Sequence, residues 1–211
     1  HWVMLAFGFF IIAVVYSAVG FGGGSTYIAL LALSGQPAEV IPLIALPCNI
    51  LVVTIGSYFA VHRRHFDWHL SIPFFIASVP MAFLGGLIQL QATLYFVLLG
   101  LSLVIAGMSL LFRAAPTDVS AVPGSRGLAA GIGAGLGFVS GMVGIGGGIF
   151  LAPVLHHLRW ASSKTIAALC SFFILINSLS GLAGQVLKTG SEAAIVAGPY
   201  AAPLLLAVAV G

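Results

Sequence analysis

Two short stretches of the chain hold the residue types best able to bind a small charged ligand. One is Gly20-Phe21-Gly22-Gly23-Gly24-Ser25-Thr26, and the other is Gly144-Ile145-Gly146-Gly147-Gly148. Three consecutive glycines weaken a helix and admit backbone conformations that other residues avoid. A helix that restarts after such a break presents unpaired N–H groups and the positive end of its dipole, which attract anions. Ser25 is placed to cap the restart in the first copy. Asn49 and Asn177 follow, each seven residues ahead of a glycine, Gly56 and Gly184. An amide inside an apolar span costs free energy unless it is hydrogen-bonded, and its NH2 can donate to an anion. Thr54, Ser57, Ser171, Ser178 and Ser180 add hydroxyls nearby.

The candidate substrate site is therefore Gly22, Gly23, Gly24, Ser25, Asn49, Gly146, Gly147, Gly148, Asn177 and Ser178. A plainer reading stands beside it. Gly20 with Gly24, and Gly144 with Gly148, have the four-residue spacing that lets helices approach closely, and a buried Asn can bond two helices together. Gly127, Gly131 and Gly135, and Gly133, Gly137 and Gly141, read as packing ridges.

The elements that carry these residues must sit in lipid. Of 211 residues, 61% are hydrophobic and 5% are charged, against roughly 25% charged in a soluble domain. Seven apolar segments are long enough to approach a span of ~20 residues: about 3–31, 38–61, 70–90, 92–112, 128–155, 164–187 and 192–211. The segments 3–31 and 128–155 are overlong, and each contains a glycine cluster, so each is tilted or broken into two half-helices. Polar breaks lie at 62–69, 89–91, 113–126 and 188–192. Arg63, Arg64, Arg113 and Arg126 fall in two loops separated by a hairpin, which the positive-inside rule makes cytoplasmic. Arg159 and Lys164 then sit on the opposite side if 128–155 crosses fully.

The two glycine clusters and the two asparagines form an internal repeat, with offsets of 124 and 128. The expected architecture is an all-α integral membrane bundle of two repeated halves, with seven or eight hydrophobic segments and a glycine-broken helix opening each half. The first repeat is 1–112, a cytoplasmic linker is 113–127, and the second repeat is 128–211, shorter by about one helix. The opening at His1 inside an apolar stretch suggests a missing start. The halves are parallel if the glycine segments cross, and inverted if they are re-entrant hairpins.

Other chemistry finds less support. His62, His65 and His69, like His156 and His157, read as interfacial rather than as a metal site. Glu39, Asp67, Asp118 and Glu192 lie in loops or at segment ends, so no span carries a carboxylate for proton coupling. Cys48 and Cys170 lie in apolar runs and imply no disulfide framework. Nothing in the spans activates a nucleophile, so an intramembrane enzyme is disfavoured and no catalytic residue, metal or cofactor is expected. The net charge of +3 comes from bases at the ends of apolar runs, which excludes a nucleic-acid partner.

The chain resembles the TauE/SafE-type sulfite exporter family. The resemblance is carried by Gly20-Phe21-Gly22-Gly23-Gly24, by Gly141-Met142-Val143-Gly144-Ile145-Gly146-Gly147-Gly148, and by Asn49-Ile50-Leu51-Val52-Val53-Thr54-Ile55-Gly56. Further elements are His65-Phe66 with Trp68, Ser78-Val79-Pro80 to Gly85-Gly86, and Asn177-Ser178-Leu179-Ser180-Gly181. It implies a multi-span permease for sulfite, sulfoacetate and related sulfur anions in the plasma or inner membrane. The expected partners are the bilayer and a small anionic substrate. Coupling to protons or another ion, and homo-oligomer formation, stay open. The residues and the resemblance together lead to a secondary transporter with alternating access, with an anion channel as the rival. Pro47-Cys48 precede Asn49 whereas Ile176 precedes Asn177, so the halves are expected to contribute unequally.

Overall fold

The computed structural model describes residues 2–19, 22–62, 66–111 and 125–211, without the side chains of residues 2, 18, 19, 110, 111 and 191–200. Gly20, Phe21, Arg63, Arg64, His65, Arg113 and most of the 113–127 linker lie outside the described residues. The described chain is helical: α1 Trp2–Val19, α2 Gly24–Leu33, α3 Ile41–His62, α4 Trp68–Leu87, α5 Ala92–Leu111, α6 Arg126–Val143, α7 Gly148–Leu158 and α8 Ser163–Val210. Five stretches are long and apolar enough to cross a bilayer: α3, α4, Ala92–Ser109 of α5, α6 and Ser163–Gly190 of α8. Apolar side chains such as Ile76, Val97, Leu101 and Val104 stay exposed on the outside of the bundle, as lipid-facing residues should.

Helix ends follow local chemistry. Asp67 caps α4 by accepting from the backbone N–H of His69 and Leu70 at 2.9 and 3.2 Å. Ser162 caps α8 through Thr165 N–H. Gly144 closes α6 in a left-handed conformation (φ 87°), which only glycine adopts cheaply. The break expected at 188–192 is present: Gly190, at φ 71° and ψ −177°, is non-helical and divides α8 into two helical runs.

Both overlong segments are broken, and each folds back on itself. In α1 and α2 the contacts run in opposite order: Tyr16 hydroxyl bonds Thr26 hydroxyl at 2.9 Å, Phe9 stacks on Tyr27 at 4.5 Å, and Gly8 lies under Leu30. In α6 and α7, Gly147 lies near Ser140, and Leu151 and Leu155 share a core with Ala129, Ile132 and Leu136. Each glycine cluster is therefore the tip of a helical hairpin.

The other helices fix the directions. Phe74, Ser78 and Ala82 of α4 meet Gly133, Gly137 and Gly141 of α6 in the same order, so these two helices run parallel. Val79, Phe83 and Ile88 of α4 meet Ser180, Gly184 and Lys188 of α8, again parallel. Asn49 of α3 meets Ser178, while Val61 and His62 lie near Phe172 and Leu175, so α3 and α8 are antiparallel. The α1–α2 hairpin thus enters from the face where α3 begins. The α6–α7 hairpin enters from the opposite face, where α3 ends.

This corrects the placement of two basic residues. Because α7 returns, Arg159 and Lys164 come back to the face where α6 begins at Arg126. It is also the face where α3 ends at His62, which Arg63 and Arg64 follow in sequence. Lys188 lies at the other face, donating to the Ile88 carbonyl at 3.3 Å. The hairpin removes the conflict with the positive-inside rule.

One glycine ridge packs and the other does not. A methyl at Gly137 would lie 2.5 Å from the Ser78 carbonyl oxygen, and one at Gly133 would lie 2.6 Å from that of Phe74. Gly127, Gly131 and Gly135 have nothing within 4 Å of such a methyl, so they are not a packing ridge among the described residues. Gly137→Leu is expected to cost about 1–3 kcal/mol through overpacking, seen as a lower melting temperature in detergent, while Gly135→Leu melts as the parent does. Equal losses in the two variants would contradict this packing. A cysteine introduced at Lys164 should react with an impermeant thiol reagent from the same face as one at Arg126, and one at Gln89 from the other. Labelling of position 164 from the Gln89 face would refute the returning hairpin.

Candidate functional site

The two hairpin tips come from opposite faces and meet at Asn49. Its Oδ1 accepts the backbone N–H of Gly24, at the start of α2, at 3.1 Å. Its Nδ2 donates to Ser178 Oγ at 3.1 Å and, across a longer 3.4 Å, to the carbonyl of Ile145 in the second tip. One amide on α3 thereby joins the first hairpin, the second hairpin and α8. It satisfies both of its donors and one of its acceptor positions within a fully buried setting. Pro47, one turn-fraction earlier in α3, lacks an N–H and leaves the Leu43 carbonyl without its helical donor.

The packing around this amide explains the glycines. A methyl at Gly24 would lie 2.8 Å from the Ile145 carbonyl oxygen and 2.9 Å from Asn49 Nδ2. One at Gly146 would lie 2.8 Å from both Asn49 Nδ2 and Ser178 Oγ. Gly22 lies against the Asn49 side chain and Val53. Gly146 and Gly147 also hold positive φ, 85° and 80°, at which a side chain is strained. The sequence and the tertiary contact demand glycine there for separate reasons.

The electrostatics follow from helix direction. Both α2 and α7 begin at the tips and run away from each other toward opposite faces. Their N-terminal ends therefore face the centre, with the Thr26 and Phe150 N–H groups already bonded to the Gly23 and Gly147 carbonyls. So do the positive ends of both dipoles, each equivalent to roughly half a charge before screening. Among the described residues, no carboxylate lies at this meeting point.

Of the ten residues singled out from the sequence, Gly22, Gly24, Asn49, Gly146 and Ser178 are gathered here. Gly23 and Gly147 are the N-cap residues of α2 and α7. Gly23 faces Ile12 and Tyr27, and Gly147 faces Phe173 and Ser140, so both point into their own hairpin surroundings. Gly148 packs on Ile174 and the Cys170 carbonyl. Ser25 is not the N-cap expected of it. It is the second residue of α2 and is buried, and the capping acceptor for Gly24 arrives from Asn49 instead. Asn177 does not mirror Asn49. Its Nδ2 donates to the Phe173 carbonyl of its own helix at 2.9 Å, and its Oδ1 is buried without a hydrogen bond.

Sequence reasoning missed three contributors. The Ile145 carbonyl is backbone and carries no sequence signal. Ser140 places a buried hydroxyl without a hydrogen bond beside Gly147. Its only signal was a serine inside the glycine-rich α6. Gln185 donates to the Gly141 carbonyl at 3.0 Å and leaves its Oε1 unmatched, and it was legible as an amide in an apolar run.

Comparison with known proteins adds an independent line. The family described as sulfite exporter TauE/SafE matches residues 4–211. The chain is 38% identical over 184 residues, 85% of its length and 74% of the other's, to a "Probable membrane transporter protein y4hK" of Sinorhizobium fredii. It is 23% identical over 202 residues, 82% of its length and 74% of the other's, to a "Probable membrane transporter protein YunE" of Bacillus subtilis. No solved structure matches it. With its apolar helices and bacterial relatives, the chain is an integral protein of the plasma membrane, and the match across nearly its whole length makes it a member of the TauE/SafE sulfite exporter family of membrane transporters.

Proposed function

We propose that this protein is a secondary transporter of small anions, sulfite or organosulfur compounds, that works by alternating access between two repeats of opposite orientation. Residues 1–112 are one repeat and 128–211 the other, with the 113–127 connection on the cytoplasmic face. The observation that carries this reading is the meeting of the α2 and α7 N-termini around Asn49. Discontinuous helices that aim their N-termini at a shared buried point are a recurrent way for transporters to hold an anionic group. The family match supports the substrate class.

Asn49 has both donors engaged within the protein, so the anion takes the place of a protein acceptor when it binds. The Ile145 carbonyl is the one given up, since its 3.4 Å bond is the longest of the three. Ser140, with an unmatched hydroxyl beside Gly147, completes the donor set. The Gly24, Asn49, Gly146 and Ser178 cluster is buried from both faces, as an occluded stage of a carrier cycle requires.

Asn49→Asp tests this without removing the cap. It keeps an oxygen for the Gly24 N–H, loses both donors, and places a fixed negative charge between the two helix starts. Hydrogen bonds to a charged group contribute about 1.5–3 kcal/mol each, so losing one or two should weaken sulfite binding by about 10–10,000-fold. In proteoliposomes holding equal amounts of folded protein, the parent should show saturable sulfite uptake and Asn49→Asp essentially none, while the lost bonds and the buried charge lower the melting temperature of the variant. Undiminished uptake by Asn49→Asp would remove the crossing as the anion site. Uptake that fails to saturate, with unitary currents, would replace the carrier by a channel.

A further inference from the structure

The half-helices α2 and α7 stand in different registers on the long helices they face. Gly22 lies against Asn49 and Val53 of α3. The repeat offsets, 124 at the glycines and 128 at the asparagines, match Gly22 with Gly146 and match Asn49 and Val53 with Asn177 and Gly181. Yet Gly146 lies against Ile174 and Ser178 of α8, each three residues before its match. The second tip therefore sits about 4.5 Å short along α8, at 1.5 Å per residue, toward the Arg126 face.

The hydrogen bonds show the same displacement. Asn49 Oδ1 accepts the Gly24 N–H at 3.1 Å. In the second half both matching partners are left over. The Gly148 N–H makes no hydrogen bond among the described residues, and neither does Asn177 Oδ1, whose residue is 1% exposed. A buried donor and a buried acceptor left unmatched each cost free energy, and one shift of the tip joins them. Asn177 lies on the face that meets the tip. Phe173, Ile174, Ser178 and Gly181 surround it on α8 at helical spacing, and they touch Gly147, Gly148, Gly146 and Gly141 respectively.

The backbone has joints where such a shift needs them. Gly144, Gly146 and Gly147 before α7 hold positive φ, and so does Arg159 after it. Arg159 is the one non-glycine among the described residues to do so. The helical ladder is interrupted at these residues, so α7 can slide without opening the ladder of α6 or α8. The exit of α2 has a like joint at Gly35, φ 77°.

We propose that Asn49 and Asn177 exchange roles. The half-helix α7 slides about 4.5 Å along α8 until Asn177 accepts the Gly148 N–H. The half-helix α2 slides the same way along α3, and its Gly24 N–H leaves Asn49. Gly22 then meets Leu46 and Ile50, the matches of Ile174 and Ser178. Both tips move toward the Gln89 face, so neither is driven into the other. One cap is made and one is open in either state, so the exchange leaves that count unchanged, and two states of similar free energy can both be populated. The use of the exchange in transport rests on the reading above, whereas the exchange itself does not.

The test is the distance between spin labels at His157→Cys of α7 and Leu187→Cys of α8, measured by double electron–electron resonance in nanodiscs. Both positions are exposed, and they lie toward opposite faces, so the slide falls along the line between them. Cys48 and Cys170 are buried and stay unlabelled. The labelled parent should show two distances about 4.5 Å apart, with sulfite changing their proportions. Asn177→Leu should keep only the longer distance and lose uptake in proteoliposomes. Asn49→Leu should favour the shorter distance; if that variant does not fold, Asn177→Leu decides alone. A single distance in the parent, with and without sulfite, overturns the proposal. Both distances persisting in Asn177→Leu, with a lowered melting temperature, also overturn it and make the residue merely structural. Two distances with no uptake of any sulfur anion remove the transport reading and leave the exchange. Saturable uptake by Asn177→Leu at the parental rate removes the exchange and leaves the transporter.

Discussion

The bonds made by the Asn49 amide join both hairpin tips to α3 and α8 at one buried point. The two hairpins enter from opposite faces, and their tips are built from residues without side chains. Apolar packing seats part of the second tip, Ile145 in the core and Gly148 on Ile174, but it cannot satisfy the buried backbone polar groups there. A planar group with one acceptor and two donors can, and Asn is the smallest side chain that has both in one plane. Leu of similar volume would leave the Gly24 N–H buried without an acceptor, at a cost of about 1–3 kcal/mol. Asp would retain that bond and lose the others. The identity of the residue follows from the three bonds made there.

Much of this was legible in the sequence, though unevenly. The glycine clusters announced breaks because no helix of that length tolerates three glycines in a row. Asn49 announced a buried bond because an amide in an apolar span must find one. The direction of the chain after each break was not legible. A kinked span and a returning hairpin have the same composition, and they differ only in which surfaces meet. One clue was present. Arg159 and Lys164 sat on the wrong side of a fully crossing segment, and that conflict disappears once α7 turns back. Likewise, the two glycine series in α6 have identical spacing, and only the position of α4 decides that Gly133, Gly137 and Gly141 pack while the others face outward.

Asn177 marks where reasoning by internal similarity stops. Positions that match in sequence pattern each answer to their own neighbours. Asn49 sees the Gly24 N–H within reach and takes it. Asn177 turns to the Phe173 carbonyl of its own helix and leaves an oxygen unmatched. Buried unmatched groups lie on α2 and α3, at Tyr27 and Ser57, as well as on α6 and α8, at Ser140, Asn177 and Gln185.

The seam between α4 and α6 bears on how movement of the second tip is transmitted. Phe74, Ser78 and Ala82 present carbonyls to Gly133, Gly137 and Gly141 at one-turn intervals, with no side chain between the two backbones. Contacts of this kind behave as a toothed rack. A small slide drives each carbonyl into the next Cα ridge, and the teeth mesh again only after a full helical turn, about 5.4 Å. Gradual creep is thereby suppressed, so α6 carries any push on its hairpin tip to α4 as a displacement of the pair together. The absence of side chains along that line works as a mechanical coupling between the second hairpin and the bundle wall.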